Sequence, residues 1–125
     1  MKLVVARDED GKSGLVELDV MEILKFTTDK TRILIHTKND VYYFPFDSLE
    51  KIQNVLQALN LPFLRADRGN LVNIDKVIEI DDKYAKVYFE GDKPGERGKE
   101  ATVSRPTNYR RILDLFRERQ GRKNE

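Results

Sequence analysis

Only two stretches of this chain, residues 47–59 and 106–119, repeat apolar residues at helical spacing; elsewhere the apolar residues come in short runs closed by turn formers. Short runs bounded by turns read as strands. They fall at residues 3–6, 14–18, 22–27, 32–37, 41–46, 63–66, 77–81, 84–90 and 100–103. Asp10-Gly11 and Asn39-Asp40 are turn pairs, the second a plausible hairpin into residues 41–46. The clearest strand is 84–90, where Ala85, Val87 and Phe89 alternate with Tyr84, Lys86, Tyr88 and Glu90. Residues 91–98, GDKPGERG, form a polar loop punctuated by Gly and Pro.

The first helical stretch aligns Leu49, Ile52, Val55, Leu56 and Leu59. Asp47 is placed to cap it, with Glu50 three residues on, and Leu61-Pro62 ends it because Pro disfavours helix in the residue before it. The second aligns Tyr109, Ile112, Leu113 and Phe116, with Pro106 suited to a first turn. The expected fold is therefore a single α+β domain, mostly β with two short helices. Residues 1–15 read as an acidic N-terminal extension with a short strand, 16–119 as the domain and 120–125 as a frayed tail.

Chemistry is bounded more by what is missing. The chain of 125 residues has no Cys and one His, which excludes disulfides, thiolate zinc sites, Cys nucleophiles and His–His acid/base pairs. His36 sits in a strand, where a core-edge role outweighs a catalytic one. No Gly-rich phosphate loop of standard spacing is present, and Asp81-Asp82 point to different sides of a strand end. No enzyme, metal or cofactor is expected. No apolar run reaches the ~18–20 residues of a membrane span, and a cytoplasmic location is expected.

Charge is balanced overall, 23 Lys plus Arg against 22 Asp plus Glu, but not evenly placed. Residues 1–22 hold three bases and six acids; residues 109–125 hold six bases and three acids. A uniformly cationic polymer binder is excluded, so any nucleic-acid contact must come from local clusters. Three such clusters lie at element ends. Arg65, Arg68, Asn70 and Asn73 fall between apolar anchors in Phe63-Leu64-Arg65-Ala66-Asp67-Arg68-Gly69-Asn70-Leu71-Val72-Asn73. Ser104 and Arg105 stand where a strand hands over to a helix, and Lys30-Thr31-Arg32 opens a strand. An Arg at such a junction is held by rigid elements while its guanidinium projects, which suits bidentate readout of guanine or a clamp on phosphate.

In that order, the strands, the short helix from Asp47-Ser48-Leu49, the Phe63-x-Arg65…Leu71-Val72-Asn73 segment and the Val103-Ser104-Arg105 segment resemble the LytTR DNA-binding domain of bacterial transcription regulators. The resemblance spans roughly residues 16–116. It implies antiparallel sheets in a LytTR-like arrangement, with loops reaching into successive major grooves, often at repeated half-sites, and bending the duplex. Asn73 matches the family pattern but reads as a loop-fixing residue, not a contact; the resemblance places Arg68 and Arg105 in inserting loops and Thr31 and Arg32 near a third contact turn. Lys30, Asn70 and Ser104 join them as candidate DNA-binding residues.

One departure matters. The family commonly has His-Arg-Ser before its Leu-Val-Asn, whereas this chain has Asp67-Arg68-Gly69. An anion ~4 Å from a phosphate is opposed by about 4 kcal/mol at an effective dielectric of ~20. That exceeds the ~1–3 kcal/mol of a bidentate Arg contact. Either Asp67 turns away, to Arg65 or to a cytosine amine, or this loop reads DNA poorly. Two functions follow. The first is sequence-specific binding of double-stranded DNA as a stand-alone regulator, with a homodimer on DNA; the family's usual receiver domain is not expected within these 125 residues. The second is a protein-interaction module that has lost DNA binding and sequesters a related regulator.

Overall fold

Ten strands and two helices make up the computed structural model, which describes residues 1–44 and 48–123, with backbone only for 122–123. The strands are β1 (Lys2–Ala6), β2 (Leu15–Asp19), β3 (Lys25–Asp29), β4 (Arg32–His36), β5 (Val41–Phe44), β6 (Phe63–Asp67), β7 (Asn70–Asn73), β8 (Val77–Asp81), β9 (Lys86–Glu90) and β10 (Arg97–Thr102). The helices are α1 (Leu49–Ala58) and α2 (Thr107–Lys123). Seven strands form one sheet in the order β2-β1-β5-β4-β3-β7-β6, and three form a second in the order β10-β9-β8. Every pairing is antiparallel. The expected fold class stands: mostly β, antiparallel, with two helices.

Alternation along the strands builds two cores, one on each face of the larger sheet. Leu49, Ile52 and Leu56 of α1 pack against Val5, Phe26, Ile33, Ile35, Phe63 and Leu71. The Phe26 ring tilts against Phe63 at 5.5 Å and meets Phe44 edge-on at 6.5 Å. On the opposite face, Ala66 and Val72 meet Val77, Val87, Phe89 and Ala101 from the second sheet, Val103 just beyond it and Ile112 from α2. Leu71 and Val72 are neighbours on β7, so they point to opposite faces, and each is fully buried in a different core. Burying such a side chain contributes roughly 1.5–3 kcal/mol.

That double coverage explains why β7 escapes periodicity. Both faces are dry, so no polar residue alternates with the apolar ones, and four residues are too few to signal a strand. Other elements differ at their ends. Tyr84 and Ala85 belong to the turn before β9 rather than to the strand, Ala85 having φ +52° and Tyr84 being exposed. The side chain of Ser48 caps α1, accepting from the Lys51 N–H at 3.4 Å; the expected cap, Asp47, lies outside the described residues, as does the end of the 41–46 run. Val55 and Leu59 are about half exposed, so α1 buries a narrower stripe than its apolar residues suggest. Helix α2 continues past Arg119 to Lys123. The strand expected in the N-terminal extension is inserted between β2 and β5, with Val5 fully buried.

Asn73 is also fully buried. Its amide donates to the Ile23 carbonyl at 3.0 Å, its side-chain oxygen accepts from the Asp75 N–H at 3.1 Å, and its own N–H donates to Leu24 O at 2.8 Å. It therefore fixes the chain on both sides of β7, the role expected for it. Among the described residues no helix is long and apolar enough to cross a membrane.

Candidate nucleic-acid interface

Three turns assemble at one end of the larger sheet. β6 and β7 form a tight hairpin turned by Arg68 and Gly69. β7 pairs with β3 in the register Thr27↔Asn70, so the turn lies beside the end of β3, and the Thr28 N–H donates to Gly69 O at 3.2 Å. A Cβ on Gly69 would come to 3.3 Å from the Thr28 hydroxyl, which explains a glycine at this close approach. The β3–β4 turn, Lys30 and Thr31, continues from that strand end. Both residues are exposed, and Lys30 has φ +58°.

The third turn is the junction from β10 into α2. Ala101 and Val103 point into the core, so Thr102 and Ser104 alternate outward, toward the β6–β7 hairpin. The Ser104 N–H and hydroxyl both donate to Ala66 O, at 2.8 and 3.2 Å. Thr102 donates its hydroxyl to the Asp67 carboxylate and accepts from the Asn70 amide at 3.2 Å. Asp67 also accepts from the Gly69 N–H and the Asn70 amide, both at 2.8 Å. Ser104 then closes the first turn of α2: its carbonyl accepts from the Tyr109 N–H at 3.0 Å and its hydroxyl from the Asn108 amide at 2.8 Å.

The candidate residues fare differently. Arg68, Asn70, Ser104 and Arg105 come together on the adjoining hairpin and junction, with Lys30 and Thr31 on the neighbouring turn. Arg68 is exposed, and its side chain has no hydrogen-bond or ion-pair partner among the described residues. Arg105 is exposed and donates to the backbone carbonyl of Asp82, with its guanidinium 4.8 Å from the centre of the Tyr109 ring. Arg32 is committed: it bridges Asp29 at 2.9 Å and also Glu9 of the β1–β2 loop. Asn70 and Ser104 act first as braces of the turns. Asp67 does not pair with Arg65; Arg65 instead donates to the Arg68 carbonyl at 3.1 Å.

Thr102, Asn108 and Asp82 also contact these turns and are not among the DNA-binding candidates read from the sequence. Thr102 carried a readable signal, since it alternates with two apolar residues next to Ser104. Asp82 carried none, because its role depends on where α2 docks. On the flank, Lys25 donates to Glu100 O at 2.6 Å and Lys99 to Asp40 O at 3.0 Å, beside His36, which contacts the Thr27 hydroxyl at 2.8 Å. Burial lowers all three pKa values. His36 falls to about 4, with the charges of Lys25 and Lys99 adding to the effect.

Exposed guanidiniums on adjoining turns of an antiparallel β scaffold form a local basic cluster of the kind that suits contact with nucleic acid. The LytTr DNA-binding domain family matches residues 13–113, and the chain belongs to that family. The family is one of DNA-binding domains, not of enzymes. The fold is also similar to a solved structure described as the LytTr DNA-binding domain of a methyl-accepting/DNA response regulator from Bacillus cereus. The TM-score is 0.63 at 14% identity, over 94% of each chain. No curated protein matches the sequence.

Proposed function

We propose that this chain binds double-stranded DNA sequence-specifically and regulates transcription in the cytoplasm, with Arg68 and Arg105 inserted into the major groove. The observation that carries this reading is their placement. They are distant in sequence, yet lie on turns braced to each other by Asp67–Thr102 and Ala66–Ser104 hydrogen bonds, and both are exposed. Neither makes an ion pair among the described residues. Guanidinium forks held by rigid elements suit the paired acceptors of guanine. Lys30 and Thr31 extend the same end toward the DNA backbone. Asn70 and Ser104 hold the reading turns, and Arg32 holds the β3–β4 turn through Asp29.

Asp67 weakens the competing reading of an interaction module that has lost DNA binding. That reading rests on Asp67, Gly69 and the acidic N-terminus, and the Asp67 carboxylate accepts hydrogen bonds from Gly69, Asn70 and Thr102. Its charge organises the turn instead of lining a DNA path. Repeated half-sites, with a second copy of the chain on the duplex, are part of the same proposal.

The test is selection from a random duplex pool at near-physiological salt, repeated with Arg68→Ala and Arg105→Ala. A shared motif that weakens in both variants is expected. If about four phosphates are neutralised, raising salt from ~50 to ~200 mM lowers affinity roughly a hundredfold. A flat salt dependence on the best duplex overturns the reading.

A further inference from the structure

Resting on the base-reading role proposed for Arg105, we propose that Tyr109 and Asp82 are positioning residues that hold its guanidinium ready for the groove and so set sequence discrimination. Three separate elements meet at this side chain. Arg105 belongs to the β10–α2 junction, Tyr109 to the first turns of α2, and Asp82 to the β8–β9 turn. The Arg105 guanidinium lies over the Tyr109 ring at 4.8 Å, a cation–π arrangement. One of its N–H groups donates to the Asp82 carbonyl. The Tyr109 hydroxyl donates to the Asp82 carboxylate. The hydrogen bond to Asp82, with burial second, raises the phenol's pKa, so it remains a donor across the neutral range.

The support under Asp82 is itself fixed. The Asp81 carboxylate accepts from the N–H groups of Lys83 and Tyr84 at 3.0 and 3.1 Å. The Val103 N–H donates to Ala85 O at 2.9 Å, tying the β8–β9 turn to the end of β10. A neutral carbonyl, not a carboxylate, takes the Arg105 N–H, so the positive charge is not cancelled by that contact. A guanidinium has five N–H donors in a rigid fork, and those left over are free to meet a base edge.

The consequence is selective. An exposed Arg samples many rotamers and must be ordered when it binds a base; here much of that ordering is already present in the free protein. Complexes held by phosphate contacts alone do not use the Arg105 fork at a base edge, so they gain little from it. Losing the support should therefore lower the preference for a specific duplex while leaving the salt dependence in place.

The experiment compares the full chain with Tyr109→Phe, Asp82→Ala, the double variant and Arg105→Ala. The probes are the duplex recovered from the randomised pool and a shuffled duplex of the same composition. Tyr109→Phe keeps the ring and its packing and removes only the hydroxyl. Its ratio of specific to shuffled affinity should fall about three- to tenfold, with an unchanged salt slope and a thermal unfolding midpoint lowered no further than the loss of one hydrogen bond allows. Asp82→Ala should lower the ratio similarly, and the double variant should lose less than the product of the two, because both act through one bond. A ratio that collapses in Arg105→Ala but holds in Tyr109→Phe and Asp82→Ala overturns the positioning role alone. A ratio unchanged in all four overturns it together with base reading by Arg105.

Discussion

The Thr102 hydroxyl donates to the Asp67 carboxylate across a sequence separation of 35 residues, joining the hairpin that carries Arg68 to the strand that leads to Arg105. One contact thus couples the two segments that carry the proposed reading arginines. It also gives a structural role to the carboxylate that departs from the family pattern: Asp67 organises the turn through three donors.

Removing that contact should loosen both segments. Thr102→Val keeps the shape and loses the hydroxyl, at about 0.5–1.5 kcal/mol of stability. Asp67→Ala also strands the Gly69 N–H and takes from the Asn70 amide one of its two acceptors, and should cost about 1–3 kcal/mol. Urea unfolding at constant slope checks both. Asp67→Ala should bind DNA more weakly than wild type; tighter binding would mean that the carboxylate faces phosphate after all.

The arginines proposed to read bases should separate binding from stability. Arg68→Ala should cost about 1–3 kcal/mol in affinity for the selected duplex and relax preference at one base pair. Its unfolding free energy should move by less than about 0.5 kcal/mol, because the side chain is exposed and has no partner among the described residues. Arg68→Lys should recover only part of the affinity, since an ammonium cannot make the bidentate contact. Titration against single-base variants of the duplex checks this.

Asn73 gives the opposite profile. Asn73→Leu removes both polar atoms from a fully buried position and leaves Ile23 O and the Asp75 N–H without their side-chain partner. A loss of about 2–4 kcal/mol is expected. The measurement is the denaturation midpoint, and a change below about 0.5 kcal/mol would contradict the bracing role.

His36 should make stability depend on mild acid. Its pKa is about 4 in the fold against 6.5 in the unfolded chain, lowered by burial and then by Lys25 and Lys99. Between these values the unfolded chain binds a proton that the folded chain refuses. Stability is therefore full above pH 6.5, falls as pH drops from 6.5 toward 4, and receives no further loss from this residue below that. The drop should be about 2 kcal/mol after allowing for solvent screening at a half-buried ring. His36→Gln can keep a contact with Thr27 and should flatten the curve in that window. Glu100 and Asp40 carry the nearby carboxylates, but Lys25 and Lys99 bind their backbone carbonyls.

Local pattern determined much of this protein. Alternation in Arg32–His36 and Lys86–Glu90, the apolar stripe of Leu49, Ile52 and Leu56, and the arginines at element ends are one-dimensional signals, because each reflects whether a neighbouring face is wet or dry. Tertiary structure alone decided which turns would meet. Strand β7 hides in sequence because both of its faces are covered, and Arg32 reads as a candidate contact until Glu9 arrives from a distant loop. The partnership of Asp67 with Thr102, and of Arg105 with Tyr109 and Asp82, depends on the docking of one sheet and α2 against another. Such contacts are set by packing between elements far apart in the chain, and no periodicity within either element records them.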